Sequence, residues 1–160
     1  MPTTTYTPLA NITLTGATSS ITFTSITAGF RDYVIIGTFQ NVSSPYIALR
    51  FNSDTGGNYN RVEMFGDGTS TGAQAQSNET LGYSAGNPMA NNSMITMSIL
   101  DASATDKHKT WLSRYSGASN VVSAQANRWA NTSAITSITV LTGSGTWGSG
   151  TTFALYGIAS

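Results

Sequence analysis

Apolar and polar residues alternate along most of the chain in short runs separated by turn residues, the period-two signature of half-buried β-strands. Three runs state it most clearly: Tyr33-Val-Ile-Ile-Gly-Thr-Phe39, Tyr46-Ile-Ala-Leu-Arg-Phe51 and Tyr59-Asn-Arg-Val-Glu-Met-Phe65. Between the last two lies Asn52-Ser-Asp-Thr-Gly-Gly-Asn58, built from residues that cap turns and tolerate positive φ. The run Tyr33 to Val42 is apolar on both faces through Val34, Ile35 and Ile36, which predicts a mid-sheet strand. Upstream, Leu9–Thr15 and Ser20–Ile26 alternate around Gly16-Ala-Thr-Ser19 and predict a hairpin. Downstream, Met94–Leu100, Lys109–Tyr115, Asn120–Trp129, Ile135–Thr142 and Thr151–Ile158 read as further strands. Residues 1–8 read as a flexible lead-in. From Thr69 to Asn92 the pattern dissolves into Gly, Ala, Ser, Gln and Asn, predicting a long loop with a short strand over Thr80–Tyr83.

No window sustains helical spacing. About ten short antiparallel strands predict an all-β fold, a two-sheet β-sandwich of jelly-roll type forming one domain over residues 9–160. A small barrel is the alternative closure.

Composition narrows the function classes. Charged residues are 9% of 160, against roughly 25% in an ordinary soluble domain. Seven Lys and Arg balance seven Asp and Glu. Such a chain offers no basic face for phosphates, so no nucleic-acid partner is expected. It also offers little repulsion against self-association, which suits a protein that lives in an assembly. With no cysteine, disulfides and thiolate metal sites are excluded. Neither a signal peptide at the N-terminus nor a run of roughly 20 apolar residues is present, so no membrane span is expected.

Candidate chemistry is sparse. The single histidine, His108, sits in Asp106-Lys-His-Lys109 and reads as a solvated residue at the start of a strand rather than a catalytic base. Asp54, Asp67, Asp101 and Asp106 fall at turns, where Asp caps backbone N–H groups. Glu63 lies within a strand, and a hydrolase using it with a neighbouring Asp is the weakest alternative. Asn52, Asp54, Gly57 and Glu63 match spacings of a calcium loop, but strand-like flanks make a plain hairpin loop the better account. No catalytic, cofactor or metal residues are therefore assigned, and no enzyme is expected. Exposed aromatics could stack on sugar rings, with Trp147, Tyr83 and Tyr115 as candidates and Met89 beside them as an interface contact. The competing account of Trp147 is a plug closing one end of the sandwich. Trp111 and Trp129, in alternating strands, read as core or inter-subunit packing.

Several segments together carry a resemblance. Tyr6-Thr-Pro-Leu9, Phe51-Asn-Ser-Asp-Thr-Gly-Gly-Asn-Tyr59 followed by Gly66-Asp-Gly68, Lys107-His-Lys-Thr-Trp-Leu-Ser-Arg114, Arg128-Trp-Ala-Asn-Thr-Ser-Ala-Ile-Thr-Ser137 and Thr151-Thr-Phe-Ala-Leu-Tyr-Gly-Ile158 resemble small β-rich virion structural proteins of aquatic tailed bacteriophages, cyanophages among them. The resemblance implies a component of the phage particle exterior and brings no catalytic residues. Two jobs suit such a domain. A capsid decoration (cement) protein clamps the shell, commonly as a homotrimer on the major capsid protein. A tail-fibre or receptor-binding module recognises host glycans. The absence of a heptad shaft or collagen-like repeat favours decoration as the expectation. The lead-in and the 69–92 segment are then the expected reaching parts.

Overall fold

Alternation of β-branched and aromatic residues with small polar ones gives strands with one face to bury, and the chain stacks them in two sheets. The computed structural model describes residues 5–26, 29–43, 46–85, 91–117 and 120–159. It holds twelve strands among them: β1 (Tyr6–Thr13), β2 (Ser20–Phe23), β3 (Asp32–Phe39), β4 (Ile47–Phe51), β5 (Tyr59–Gly66), β6 (Thr71–Glu79), β7 (Gly82–Ala85), β8 (Ser93–Leu100), β9 (Lys109–Ser116), β10 (Val122–Trp129), β11 (Ile138–Thr142) and β12 (Thr152–Ile158). An eight-stranded sheet runs β1-β12-β3-β8-β9-β10-β5-β6 and a four-stranded one β2-β11-β4-β7. Every pairing is antiparallel. The fold is the expected all-β, jelly-roll-like sandwich, not a barrel.

The core lies between the sheets and is rich in aromatics. Phe51 of β4 meets Trp111 of β9 edge-on with ring centroids 5.2 Å apart, and Tyr59 stacks on Trp129 at 6.4 Å. A second cluster closes the other end, where Trp147 lies 5.0 Å from Phe153 and 6.0 Å from Phe39. Between them Ile35, Ile95, Met97 and Ile99 of β3 and β8 are fully buried. As the apolar run predicts, β3 lies mid-sheet between β12 and β8.

Four local expectations are corrected. Leu9–Thr15 and Ser20–Ile26 do not form a hairpin: β1 pairs with β12 in the large sheet and β2 with β11 in the small one. Local alternation sets each strand but not its partner, because β1 gains the open edge of β12 only after the last strand is in place. Residues 6–8 are no lead-in, since β1 begins at Tyr6 and Pro8 sits beside its β-bulge. Pro lacks an N–H and is tolerated on such an edge. Thr71–Glu79 is a nine-residue edge strand rather than a loop, and Gly82–Ala85 follows as β7. The weak pattern there reflects an edge strand exposed along most of its length. Finally, β11 begins at Ile138 rather than Ile135.

The Asn52–Asn58 loop carries the chain from the small sheet to the large one. Asn52 and Ser53 adopt φ of 51° and 59°. The Asn52 side chain then rivets a distant segment, its Oδ1 accepting from the Thr136 and Ser137 N–H groups and its Nδ2 donating to the Ala134 carbonyl at 2.7 Å. Backbone groups outside the sheets are thereby satisfied.

Candidate functional site: a sheet region with inverted polarity

The strands β9, β10, β5 and β6 form one half of the large sheet, and there the usual distribution of polar and apolar residues is reversed. The β10 sequence Val122-Ser-Ala-Gln-Ala-Asn-Arg-Trp129 alternates cleanly. Its Ser123, Gln125 and Asn127 point inward and are buried, whereas Val122 and Ala126 face out. Register extends this across the neighbours. Leu112, Ala126, Val62 and Ala75 align in one outward row, and Arg114, Ala124, Met64 and Ala73 in the next. The corresponding inward rows are Trp111, Asn127, Arg61 and Gln76, then Ser113, Gln125, Glu63 and Gln74.

The outward face is the candidate site. Val62, Met64, Leu112 and Val122 are each between 51% and 64% exposed, far from the burial their side chains favour. Alanines 73, 75, 124 and 126 between them make a low floor, so the large side chains frame open depressions. One, of about 530 Å³, is lined by Val62, Met64, Leu112 and Ala124 with Arg114 beside them. Another, of about 760 Å³, continues from Met64 past Val122 to Gly72 at the β6 edge. A contiguous apolar surface of this kind marks an interaction face in soluble proteins.

The inward face is polar and tightly held on its β5–β6 side. Arg61 donates to Glu63 Oε2 at 3.1 Å and to Gln76 Oε1 at 2.8 Å, while Gln74 donates to the same Glu63 oxygen at 2.6 Å. The Arg61 guanidinium also lies 5.0 Å over the Tyr83 ring. Both members of the pair are nearly buried, and a buried ion pair needs such extra hydrogen bonds to offset its desolvation. Glu63 is thereby tied into a side-chain network on the inward face of β5 and β6.

The other residues singled out in the sequence are distributed as follows. Trp147 is fully buried against Phe39 and Phe153. It is the plug, not a sugar-stacking surface. Tyr115 is buried too, its hydroxyl donating to Ser93 Oγ at 3.0 Å. Tyr83 is half-buried, edge-on to Tyr46 at 4.9 Å. Met89 lies outside the described residues. Trp111 and Trp129 belong to the core, and His108 is exposed ahead of β9. Asp67 caps its turn, accepting from the Ser70 and Thr69 N–H groups and the Thr69 hydroxyl. These bonds, Ser70 first, hold its carboxyl below the usual range. Asp54 accepts from Gly56 N–H, Asn58 and the Trp129 indole. Burial pushes its carboxyl up, and those hydrogen bonds outweigh it, so the group ends below its ordinary value. Among the described residues no three His, Cys, Asp or Glu gather to hold a metal ion.

The outward residues Val62, Met64, Leu112 and Val122 were missed by period-two reading, which places the apolar set of a strand inward. No local signal marks them: Ser, Gln and Asn in β10 and Arg and Glu in β5 are costly to bury, so the identity of the alternate set points to the same orientation as the apolar set, opposite to the one observed.

No family model matches the chain, and no curated protein does. Three solved structures align with much of the chain at low identity. Galectin LEC-6 of Caenorhabditis elegans aligns with 94% of this chain and 96% of its own, at 10% identity and a TM-score of 0.38. An exo-inulinase from Aspergillus awamori aligns over 97% of this chain and 29% of its own, at 16% identity and a TM-score of 0.41. Domain 4 of AbnA, an extracellular arabinanase from Geobacillus stearothermophilus solved with arabinotriose, aligns over 92% and 70%, at 7% identity and a TM-score of 0.41. No helix among the described residues is long and apolar enough to cross a membrane.

Proposed function

We propose that this chain is a non-enzymatic structural protein of a phage particle, a capsid decoration protein that associates with further copies of itself through the outward face of β9, β10, β5 and β6. One observation supports this most: four large apolar side chains stand more than half exposed on a regular sheet whose inward face is polar. Burying that surface against a neighbour would contribute about 25 cal/mol per Å² of apolar area. The low charge content removes the repulsion that would keep copies apart. Next to the apolar face, β6 edges the sheet with no Pro and no Lys, the residues that blunt an edge against pairing. The sequence resemblance to virion proteins of aquatic tailed phages supplies the setting, with a homotrimer on the major capsid protein as the specific form.

Light scattering of the purified chain, with and without Val62→Lys and Met64→Lys together, tests the association. An oligomer that the double substitution turns into a folded monomer supports the reading, and a monomeric parent protein refutes it. Copy number per particle then separates the settings: hundreds mean shell and a handful mean tail. The second reading, a receptor-binding module for host glycans, draws on Tyr83, which is half-buried beside Arg61. Loss of glycan-array binding in Tyr83→Ala would favour it.

A further inference from the structure

The outward face of β9, β10, β5 and β6 carries charge of one sign. Arg114 and Arg128 stand exposed on it, and the other outward side chains of these four strands are neutral. Neither guanidinium is in an ion pair among the described residues, where the pairs belong to Arg31, Arg61 and Lys107. Arg128 reaches only the Asn60 side-chain oxygen, at 3.4 Å. Arg114 borders the depression framed by Val62, Met64 and Leu112. Arg128 lines the adjoining one, of about 550 Å³, which shares Val62 and Ala126 with the first. Apolar ground therefore lies between two unanswered cations.

The self-association proposed above, on which this inference rests, must accommodate that charge. In a two-fold contact both copies use the same patch. Wherever the axis falls, a face holding only cations would meet another holding only cations, and like charges brought together in an interface cost binding. Such a face is matched instead by a different surface that carries a carboxylate.

The chain has seven acids to offer. Asp32, Asp54 and Glu63 are held inside the fold by Arg31, the Trp129 indole and Arg61 respectively. Asp101 and Asp106 share a turn with Lys107, whose Nζ lies 3.8 Å from Asp101. Glu79 stands opposite Tyr59 in the β5–β6 ladder and so falls on the inward side with it. Asp67 remains. It sits in the turn joining β5 to β6, among glycine, threonine and serine, with no cation beside it in the turn. Its Oδ1 takes all three capping bonds, and Oδ2 takes none of them.

We propose that copies associate head to tail, the outward face of one receiving the β5–β6 turn of the next, with Asp67 answering the arginine pair. A heterologous contact of this kind closes into a ring when its rotation allows. The homotrimer is such a ring, and a two-fold dimer through this face is not.

Mixing provides the test. A face-reversed chain, Arg114→Glu with Arg128→Glu, is titrated into the fluorescently labelled parent, and association is read by sedimentation. Head-to-tail contact makes mixed pairs no tighter than parent pairs, because the reversed face repels Asp67. A two-fold contact makes them tighter, because glutamates then meet arginines; that result overturns this proposal while self-association stands. Asp67→Asn keeps a side-chain oxygen for the turn and removes the charge. Its self-association should weaken about tenfold, the worth of one charge-assisted hydrogen bond, and an unchanged constant overturns the proposal. A parent chain that stays monomeric at every concentration overturns it together with the reading beneath it.

Discussion

The Trp129 indole donates to Asp54 Oδ2 at 2.7 Å, tying the end of β10 to the loop that carries the chain from one sheet to the other. Asp54 also accepts from Gly56 N–H and from Asn58, at 2.8 Å each, so one carboxylate organises the loop and fixes a core indole. Asp54→Ala leaves these donors without a partner and is expected to cost about 2 kcal/mol, read as a lower urea midpoint. The effect depends on acid. Because the folded pKa is depressed, the stabilisation is full above the unfolded value near ~3.9 and fades as pH falls through the folded one. The difference in midpoint between the parent and Asp54→Asn should therefore shrink below about pH 4. A constant difference down to the acid transition would contradict it.

Lys109 presents the opposite sign. It is fully buried, and its Nζ donates to the Lys107 and Thr132 carbonyls at 2.9 and 3.1 Å. Burial pulls its pKa down, against the pull of Asp106 and Asp101. A base with a depressed folded pKa disfavours folding while charged, and the penalty lifts as pH rises from the folded value toward the unfolded one near ~10.4. The parent should therefore gain stability relative to Lys109→Met over that interval. Comparing the pair cancels Tyr59, whose hydroxyl burial pushes up to about 12 and which withdraws stability in both proteins as pH rises from ~10. A gap between the two midpoints that does not move from pH 8 toward ~10.4 would refute it.

Gly82 is required by space. A Cβ there would stand 2.5 Å from the ring of Trp111, itself fully buried and held by its bond to Ser84. Gly82→Ala should destabilise by about 2–3 kcal/mol through overpacking. Gly16→Ala, where the added methyl meets nothing within 4 Å, is the control and should be near neutral. Equal effects at the two positions would show that backbone entropy, not Trp111, decides.

Trp147→Ala should destabilise by about 3–5 kcal/mol, because the indole fills the end of the core against Phe39 and Phe153. Unfolding midpoints measure this directly. A well-folded variant of unchanged stability would return Trp147 to the list of surface residues.

Charges placed on the outward face should act differently from all of these. Val62→Lys and Met64→Lys replace exposed side chains, so the fold should keep its stability to within about 0.5 kcal/mol. What should change is molecular mass in solution. A large loss of monomer stability would mean that the face contributes to the fold itself.

The strands of the central sheet were legible because each alternates against a strong apolar set: Ile95, Met97 and Ile99 in β8, or Phe153 and Leu155 in β12, can face only one way. In β6, Ala and Gln alternate without a large apolar side chain, and an edge strand exposed along most of its length needs none. The outward face of β5 and β10 was harder still, since Val62, Met64 and Val122 look like a buried set and their alternates Arg61, Glu63, Gln125 and Asn127 like a solvated one.

By itself, the order of residues determined the β class, the position of most strands, the mid-sheet place of β3 and the turn-capping work of Asp67. These follow from local sterics and period-two spacing, which act within a few residues. Which strands pair, which end Trp147 closes, and which side of β10 meets solvent were decided by tertiary structure alone. A strand carries two faces, and nothing within it says which one another sheet will cover; that choice is made by the sum of burial across segments as distant as Glu63, Gln125 and Ser84.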